Sequence, residues 1–451
     1  MVVAGGAAWP ARHCPLQWQH MDTASAEHKA GASAREALIG AAVVIIAGIL
    51  ATTLSQPQVL AKIPIQNLLK NELHVDRTAN AAFFFWIGLP WYFKPFAGIF
   101  TDAFPLFGSR RRSYILISAT LASLSWVGLY YTPHTYSKLL WMVTLLDFFM
   151  VITSTVVGAY LVEVAQAHSG SGRLTALREF VMYGSIMGAG PMGGYLASLA
   201  FGVTLAVSGG VMFLLVPVTF VYLREKRSTI DSKQMLANAR VQLKHIGTAR
   251  TMWAATGLLA LFYIAPGFTT ALFYRQQDVL HMTTQTQGTL QFLGGAGGVL
   301  AAVVYAWSCK RLNLRNLLLI CLALTTVTDL GYWFYNSLAL ARVIDTVYGI
   351  GFTLAECALM DLAVRATPKG NEGLGYSLML SVRNLALFGS DALGSWLMDR
   401  YHVAFSSLIT WNAITTAVTI PLVLLLPLAL VIKKDAEPLH EPELPRAALQ
   451  G

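Results

Sequence analysis

Residues 86–114 read WIGLPWYFKPFAGIFTDAFPLFGSRRRSY. The stretch is an apolar helix interrupted by Lys94 and by Pro95, which bends a helix because it removes a backbone donor and crowds the preceding turn. The helix ends in Gly98-x-x-x-Asp102. A short turn, Phe104-Pro105-Leu106-Phe107-Gly108, leads to Arg110, Arg111 and Arg112 before the next apolar run. Charges of both signs between two apolar runs mark the place where a membrane span meets water. There a carboxylate and guanidiniums pair, and they latch neighbouring helix ends.

Composition points the same way. Of 451 residues, 55% are hydrophobic and 12% charged, and the mean hydropathy is +0.55. Soluble domains carry about 25% charged residues. Each apolar run of roughly 20 residues spans a bilayer as a helix. Such runs fall near 37–57, 79–101, 113–131, 138–163, 175–200 and 203–223, then near 252–274, 287–308, 317–336, 338–362, 373–398 and 404–432. The expected fold is therefore all-α and integral to the membrane, with twelve transmembrane helices.

The net charge of +9 follows from topology rather than from nucleic acid. Lysine and arginine gather in alternate loops: Arg110 to Arg112, Arg173, Arg224 to Arg250, Lys310 with Arg311 and Arg315, Arg365 with Lys369, and Lys433 with Lys434. Such loops stay cytoplasmic, which places both termini inside. Residues 1–36 are polar and lack the apolar core of a signal peptide, so a disordered cytoplasmic N-terminus is expected, with Met21 as an alternative start. The expected order continues with a six-helix bundle over 37–223, a basic cytoplasmic linker over 224–251, a second bundle over 252–432 and a cytoplasmic tail over 433–451. The four cysteines, Cys14, Cys309, Cys321 and Cys357, are scattered. They support neither a disulfide framework nor a metal site.

The two halves repeat. LLDFFMVITSTVVGAYLVEVA (145–165) aligns with VIDTVYGIGFTLAECALMDLA (343–363), and Asp147 matches Asp345 at the shift 345 − 147 = 198. Glu163 matches Asp361 at the same shift without a gap. Acids at matching depth in the fourth and tenth spans indicate duplicated, pseudo-symmetric six-helix bundles, as transporters often have.

On these residues a family resemblance stands out. Gly98-x-x-x-Asp102 followed by Gly108-x-Arg110-Arg111 resembles the loop signature of the major facilitator superfamily. The fuller string KPFAGIFTDAFPLFGSRRRSY resembles the folate–biopterin transporter family within it. The resemblance implies a secondary transporter working by alternating access, with a folate, pterin or related anion as substrate and protons as coupling ions. It needs no cofactor, and a monomer in a bacterial inner or plasma membrane is expected. The nearest rival is another facilitator, such as a muropeptide permease; a membrane receptor that does not transport is a third reading. An enzyme would need a cluster of nucleophile, base or metal ligands at one membrane face, and the ten histidines are scattered.

Charged residues within spans are functional candidates by default. Asp147 lies mid-span and is the leading proton-coupling residue, against a structural pair with a neighbouring helix. Asp345 is the second. It and Glu356 are eleven residues apart, or about 20° around a helix after three turns, and so share a face. Asp329 in the ninth span is set aside as an acid able to snorkel outward from a lipid-facing helix. Arg383, buried in the eleventh span, either binds an anionic ligand bidentately or closes an internal salt bridge. Lys94, Glu356 and Gln56, in the Ser55-Gln56-Pro57-Gln58 segment, complete the expected substrate contacts, with helix-end hydrogen bonding the plainer role for Gln56. The resemblance further implies a cytoplasmic gate of Asp102, Arg110, Arg111, Arg112, Glu163, Arg173 and Arg178, against ordinary interfacial charge. Trp86, Trp91, Tyr92 and Tyr195 either stack on a pterin ring or pack and anchor.

Overall fold

A computed structural model describes residues 39–167, 171–223, 225, 237, 240, 241, 243, 244, 246–367 and 372–432. The expected disordered N-terminus, most of the linker and the tail lie outside the described residues. The helices are α1 (Ile39–Leu54), α2 (Lys62–Asn67), α3 (Arg77–Ile87), α4 (Leu89–Tyr92), α5 (Lys94–Ala103), α6 (Arg112–Tyr130), α7 (Tyr136–Ala167), α8 (Ser171–Leu196) and α9 (Phe201–Tyr222). The second set is α10 (Arg250–Tyr263), α11 (Thr269–Asp278), α12 (Thr284–Ser308), α13 (Leu314–Leu330), α14 (Leu338–Ala366), α15 (Glu372–Tyr401) and α16 (Phe405–Leu422). Within the described residues, α1–α2, α3–α5 and α10–α11 each read as one span in pieces and the other helices as single spans, twelve in all. Among the described residues, seven helices are long and apolar enough to span a membrane unbroken.

The breaks have local causes. Pro90 and Pro95 sit in the first turns of α4 and α5, where a missing N–H removes no helical bond and a fixed φ starts a new helix. Helix starts carry side-chain caps: Asp76 accepts from Ala79 N (2.7 Å), Asn313 from Asn316 N (2.9 Å) and Thr283 from Thr286 N (3.2 Å). The turn at 106–109 reverses the chain with Phe107 at φ 54° and Gly108 at φ 77°, closed by Ser109 N donating to Leu106 O (2.9 Å). Two successive positive-φ residues are the signature of a tight reversal, and they explain why the motif places a glycine there.

Among the described residues, the two largest apolar cores lie one in each half. Val44, Ile45, Trp126, Leu129, Met150 and Val156 belong to the first, between α1 and α9. Met252, Leu259, Leu318, Leu322, Leu359 and Leu362 belong to the second, between α10 and α14. Apolar side chains also point outward, such as Leu214 and Phe220 on α9 and Val303 and Trp307 on α12. Within a bilayer that exposure is lipid contact. The halves meet most closely where α8 crosses α12. A Cβ on Gly288 would lie 2.3 Å from Gly190 O, and one on Gly190 would lie 2.7 Å from Gly288 O. Only glycine lets the backbones approach so closely.

Candidate functional site

In the second half, the Arg383 guanidinium on α15 forms an ion pair with Glu356 on α14, and their side chains are only 19% and 13% exposed. Arg383 Nη1 also donates to Asn384 Oδ1 (2.9 Å), and its guanidinium lies 4.9 Å from the centroid of the Tyr263 ring. Tyr183 on α8, in the first half, donates its hydroxyl to Glu356 Oε2 (3.2 Å). Glu356 thus joins the two halves. Tyr263, Phe262, Tyr348 and Phe352 form a wall of rings beside it, with Tyr348 and Phe352 stacked at 5.6 Å.

The first half presents a second cluster. Asp147 on α7 is completely buried, and its Oδ2 accepts from Gln58 Nε2 (2.7 Å). Asp147 Oδ1, Gln58 Oε1 and Trp91 Nε1 are buried and make no hydrogen bond. Among the described residues, no lysine or arginine pairs with Asp147. Ser154, seven residues on, lies on the same face of α7, about 20° around after two turns. It accepts from Lys94 Nζ (3.2 Å), which sits 5.2 Å from the Trp91 ring centroid. Ser381 of α15 donates to Trp91 O (3.4 Å), and Tyr92 packs against Phe388 at 6.4 Å. Helices of the two halves therefore touch beside both clusters.

Other candidates have partners of their own. Gln58 is the amide that reaches Asp147, while Gln56 lies in the turn, its backbone N donating to Thr53 O (3.3 Å). Asp345 lies apart from Arg383. Its oxygens accept from the hydroxyls of Tyr332 (2.8 Å) and Tyr335 (3.0 Å), and Gln276 bonds Tyr335 in turn (2.6 Å). A shared helix face did not bring Asp345 and Glu356 together, because eleven residues span about 16 Å of helix axis. Asp329 does not snorkel to lipid. It is 1% exposed and faces into its own half. Trp86 and Tyr195 are exposed, whereas Trp91 and Tyr92 lie beside the site.

Of the expected gate, the side chains of Asp102, Glu163, Arg173 and Arg178 lie outside the described residues. The arginine loop itself reveals a partner that the sequence reading missed. Glu225, just past α9, accepts from the backbone N of Arg110, Arg111 and Arg112, each at 3.0 Å, and from Ser109 Oγ (2.5 Å). The carboxylate caps the start of α6, where unpaired N–H groups and the helix dipole favour an anion. Burial alone would raise its pKa, yet these four donors hold it below the ordinary value. Asp361, the repeat of Glu163, accepts from Arg365 Nε (2.9 Å) and the Tyr305 hydroxyl (3.0 Å).

On the face opposite the linker, charged residues tie the halves. Lys70 pairs with Asp278, and Arg77 with Asp399 (2.6 Å). Asp399 also accepts from Thr78 N (2.9 Å) and Thr78 Oγ1 (2.8 Å). The Tyr274 hydroxyl of α11 bonds Val75 O (2.5 Å). These contacts join the two halves across this face.

Residues 57–442 match the BT1 family. The folate-biopterin transporter of Synechocystis is 26% identical over 366 residues, covering 75% of this chain and 71% of that one. Folate transporter 1 of Plasmodium falciparum is 24% identical over 358 residues, covering 75% of this chain and 70% of that one. The crystal structure of a D-xylose-proton symporter superposes with a TM-score of 0.64 at 13% identity, over 85% of this chain and 96% of that one. That likeness is one of fold. The chain belongs to the BT1 family and is a multi-pass membrane transporter with the major facilitator fold, not an enzyme.

Proposed function

We propose that this BT1-family transporter carries a folate- or pterin-like anion by alternating access, driven by protons. The observation that carries the reading is the Tyr183–Glu356–Arg383 bridge between the halves. A planar guanidinium matches a carboxylate through two parallel hydrogen bonds. An incoming substrate carboxylate takes that fork over from Glu356. The Tyr183 tie then loosens at the same moment, so binding is coupled to movement of one half against the other. Tyr263, Tyr348 and Phe352 offer rings on which a heterocycle stacks. The names of the relatives support this class of substrate.

Asp147 is the proposed proton carrier. It is a buried carboxylate without a cationic partner, which is costly as a charge and stable once protonated. Gln58 holds one oxygen and leaves the other for the proton. The basic loops, which include the linker, support a reading with both termini inside. In this orientation the closed face is the outer one. Each half, 37–223 and 252–432, then acts as a rocking body about the central site, and one chain contains all the parts.

The test is uptake of labelled folate and of biopterin into proteoliposomes, with and without an inward proton gradient. Saturable, gradient-dependent uptake supports both parts of the reading. Uptake indifferent to the gradient removes the coupling, and no uptake by folded, inserted protein removes the substrate class.

A further inference from the structure

Inside the second half, a cavity shares the rings of Phe262, Tyr263, Tyr348 and Phe352 with the Arg383 bridge and is further lined by Asp329 and Thr325 of α13, Ser390 and Asp391 of α15, and Asn412 and Thr416 of α16. Asp329 is 1% exposed, with Thr416 beside it, and its Oδ2 makes no hydrogen bond. None of the ion pairs among the described residues includes it. A carboxylate so placed is not stable as a bare charge. It needs a cation.

Besides the rings, Ala265 and Leu387, the side chains that line the cavity with Asp329 carry oxygen donors. The Thr325 hydroxyl donates to Cys321 O (2.9 Å) and Gly351 O (2.8 Å), and the Ser390 hydroxyl donates to Leu387 O (2.8 Å). With their protons committed to the main chain, these hydroxyls have lone pairs to offer. An all-oxygen donor set suits a hard cation. The other titratable groups around it are Tyr263 on α10, Tyr348 on α14, Asp391 on α15 and Tyr332 after α13. Tyr332 is bonded to Asp345, and both Asp391 oxygens accept from Thr270 (3.0 and 2.6 Å). Lys62 of the first half is close enough to act electrostatically on Asp391.

A second feature converges here. The chain leaves helical geometry between α10 and α11, and Ala265, Gly267 and Phe268 of that break, with Thr269 at the start of α11, line the same cavity. Gly267 is pressed against α15, its N donating to Ser390 O (2.9 Å), and a Cβ on it would meet Asp391 N at 2.9 Å. Non-helical backbone at membrane depth persists where it is buried in protein or lines a cavity, and broken spans of this kind hold coupling ions in other transporters. Beyond the break, α11 carries Tyr274 and Asp278, two of the ties that close the face opposite the linker.

We propose that Asp329, with Thr325, Thr416, Ser390 and Asn412, forms a second cation site, loaded by Na+ or by a proton, whose occupancy steadies the α10–α11 break and through it the closed face. The site is distinct from Asp147 and shares the wall of Tyr263, Tyr348 and Phe352 with the proposed substrate site.

The experiment uses the full chain in detergent and no substrate. Thermal unfolding is compared in sodium chloride and choline chloride at matched ionic strength, and across pH, for the wild type, Asp329→Asn and Thr416→Val. Binding of radioactive sodium is measured alongside. A Na+-induced rise in Tm, lost in Asp329→Asn and shifted about tenfold in concentration in Thr416→Val, assigns the site to sodium. An acid-induced rise that Asp329→Asn abolishes, with no sodium effect, assigns it to a proton. No response in the wild type, or a response unchanged in both variants, overturns the proposal. If Asp329→Asn does not fold, the midpoint shift in Thr416→Val decides. Asp147→Asn keeps the response, which separates this site from the proposed transport coupling.

Discussion

The Tyr183 hydroxyl of one half donates to the Glu356 carboxylate of the other across 3.2 Å, and that same carboxylate holds Arg383. A single acid therefore connects the two bodies and occupies the cation best suited to an anionic ligand. Tyr183→Phe removes the cross-half bond and leaves the ion pair. Substrate affinity should hold within a few-fold while the transport rate changes, since a hydrogen bond to a charged group is worth about 1.5–3 kcal/mol. An affinity loss with an unchanged rate would count against this division of roles.

Arg383→Lys keeps the positive charge but loses the planar fork. Binding of a dicarboxylate substrate should weaken by about tenfold or more, and Arg383→Gln should abolish it. Equilibrium binding to purified protein reads this directly. Equal affinity in all three proteins would move the recognition site elsewhere.

Asp147→Asn imitates the permanently protonated acid. Gradient-driven accumulation should disappear, while exchange of internal for external substrate, which needs no net proton movement, continues. Loss of both activities in a folded protein would make Asp147 structural, and retention of both would remove it from coupling.

Arg77 and Asp399 close the face opposite the linker (2.6 Å). Arg77→Asp places two acids together and should open this face, raising the labelling rate of a cysteine introduced at Ser381. Combining it with Asp399→Arg should restore the closed state, because the pair is re-formed with its charges exchanged. A double variant as open as the single one would rule out the pair as the latch.

Glu225 makes stability depend on pH. Its pKa is held below the ordinary 4.5, so its contribution is fully present above that value and is lost as pH falls through the lower folded value. Wild-type protein should therefore lose more stability between about pH 5 and pH 3 than Glu225→Gln, which lacks the charge at every pH. Thermal unfolding of the two proteins across this range is the measurement. Parallel curves would show that the four donors at the start of α6 do not depend on the charge.

Several features were legible from sequence alone. Long apolar runs and alternating basic loops specify membrane crossings because a bilayer accepts only chains that satisfy their own backbone bonds. The loop from Lys94 to Arg112, with its prolines and its Phe107-Gly108 reversal, carried the family, since those residues act through local backbone geometry. Asp147, Glu356 and Arg383 were singled out because a charge in an apolar run is conspicuous.

Their partners were decided by tertiary structure. Gln58 meets Asp147, Tyr183 meets Glu356 and Arg77 meets Asp399 across 89, 173 and 322 residues of chain, separations that no periodicity reports. Asp345 and Glu356 share a helix face, yet two tyrosines take one and an arginine the other. Asp329 looked like a lipid-side acid, and only the packing of α13 against α14 and α16 turned it inward. Sequence determines which groups enter the membrane, because their transfer from water depends on the residue itself. Structure determines what each of them does there, because in a medium without water a charge is defined by its neighbours.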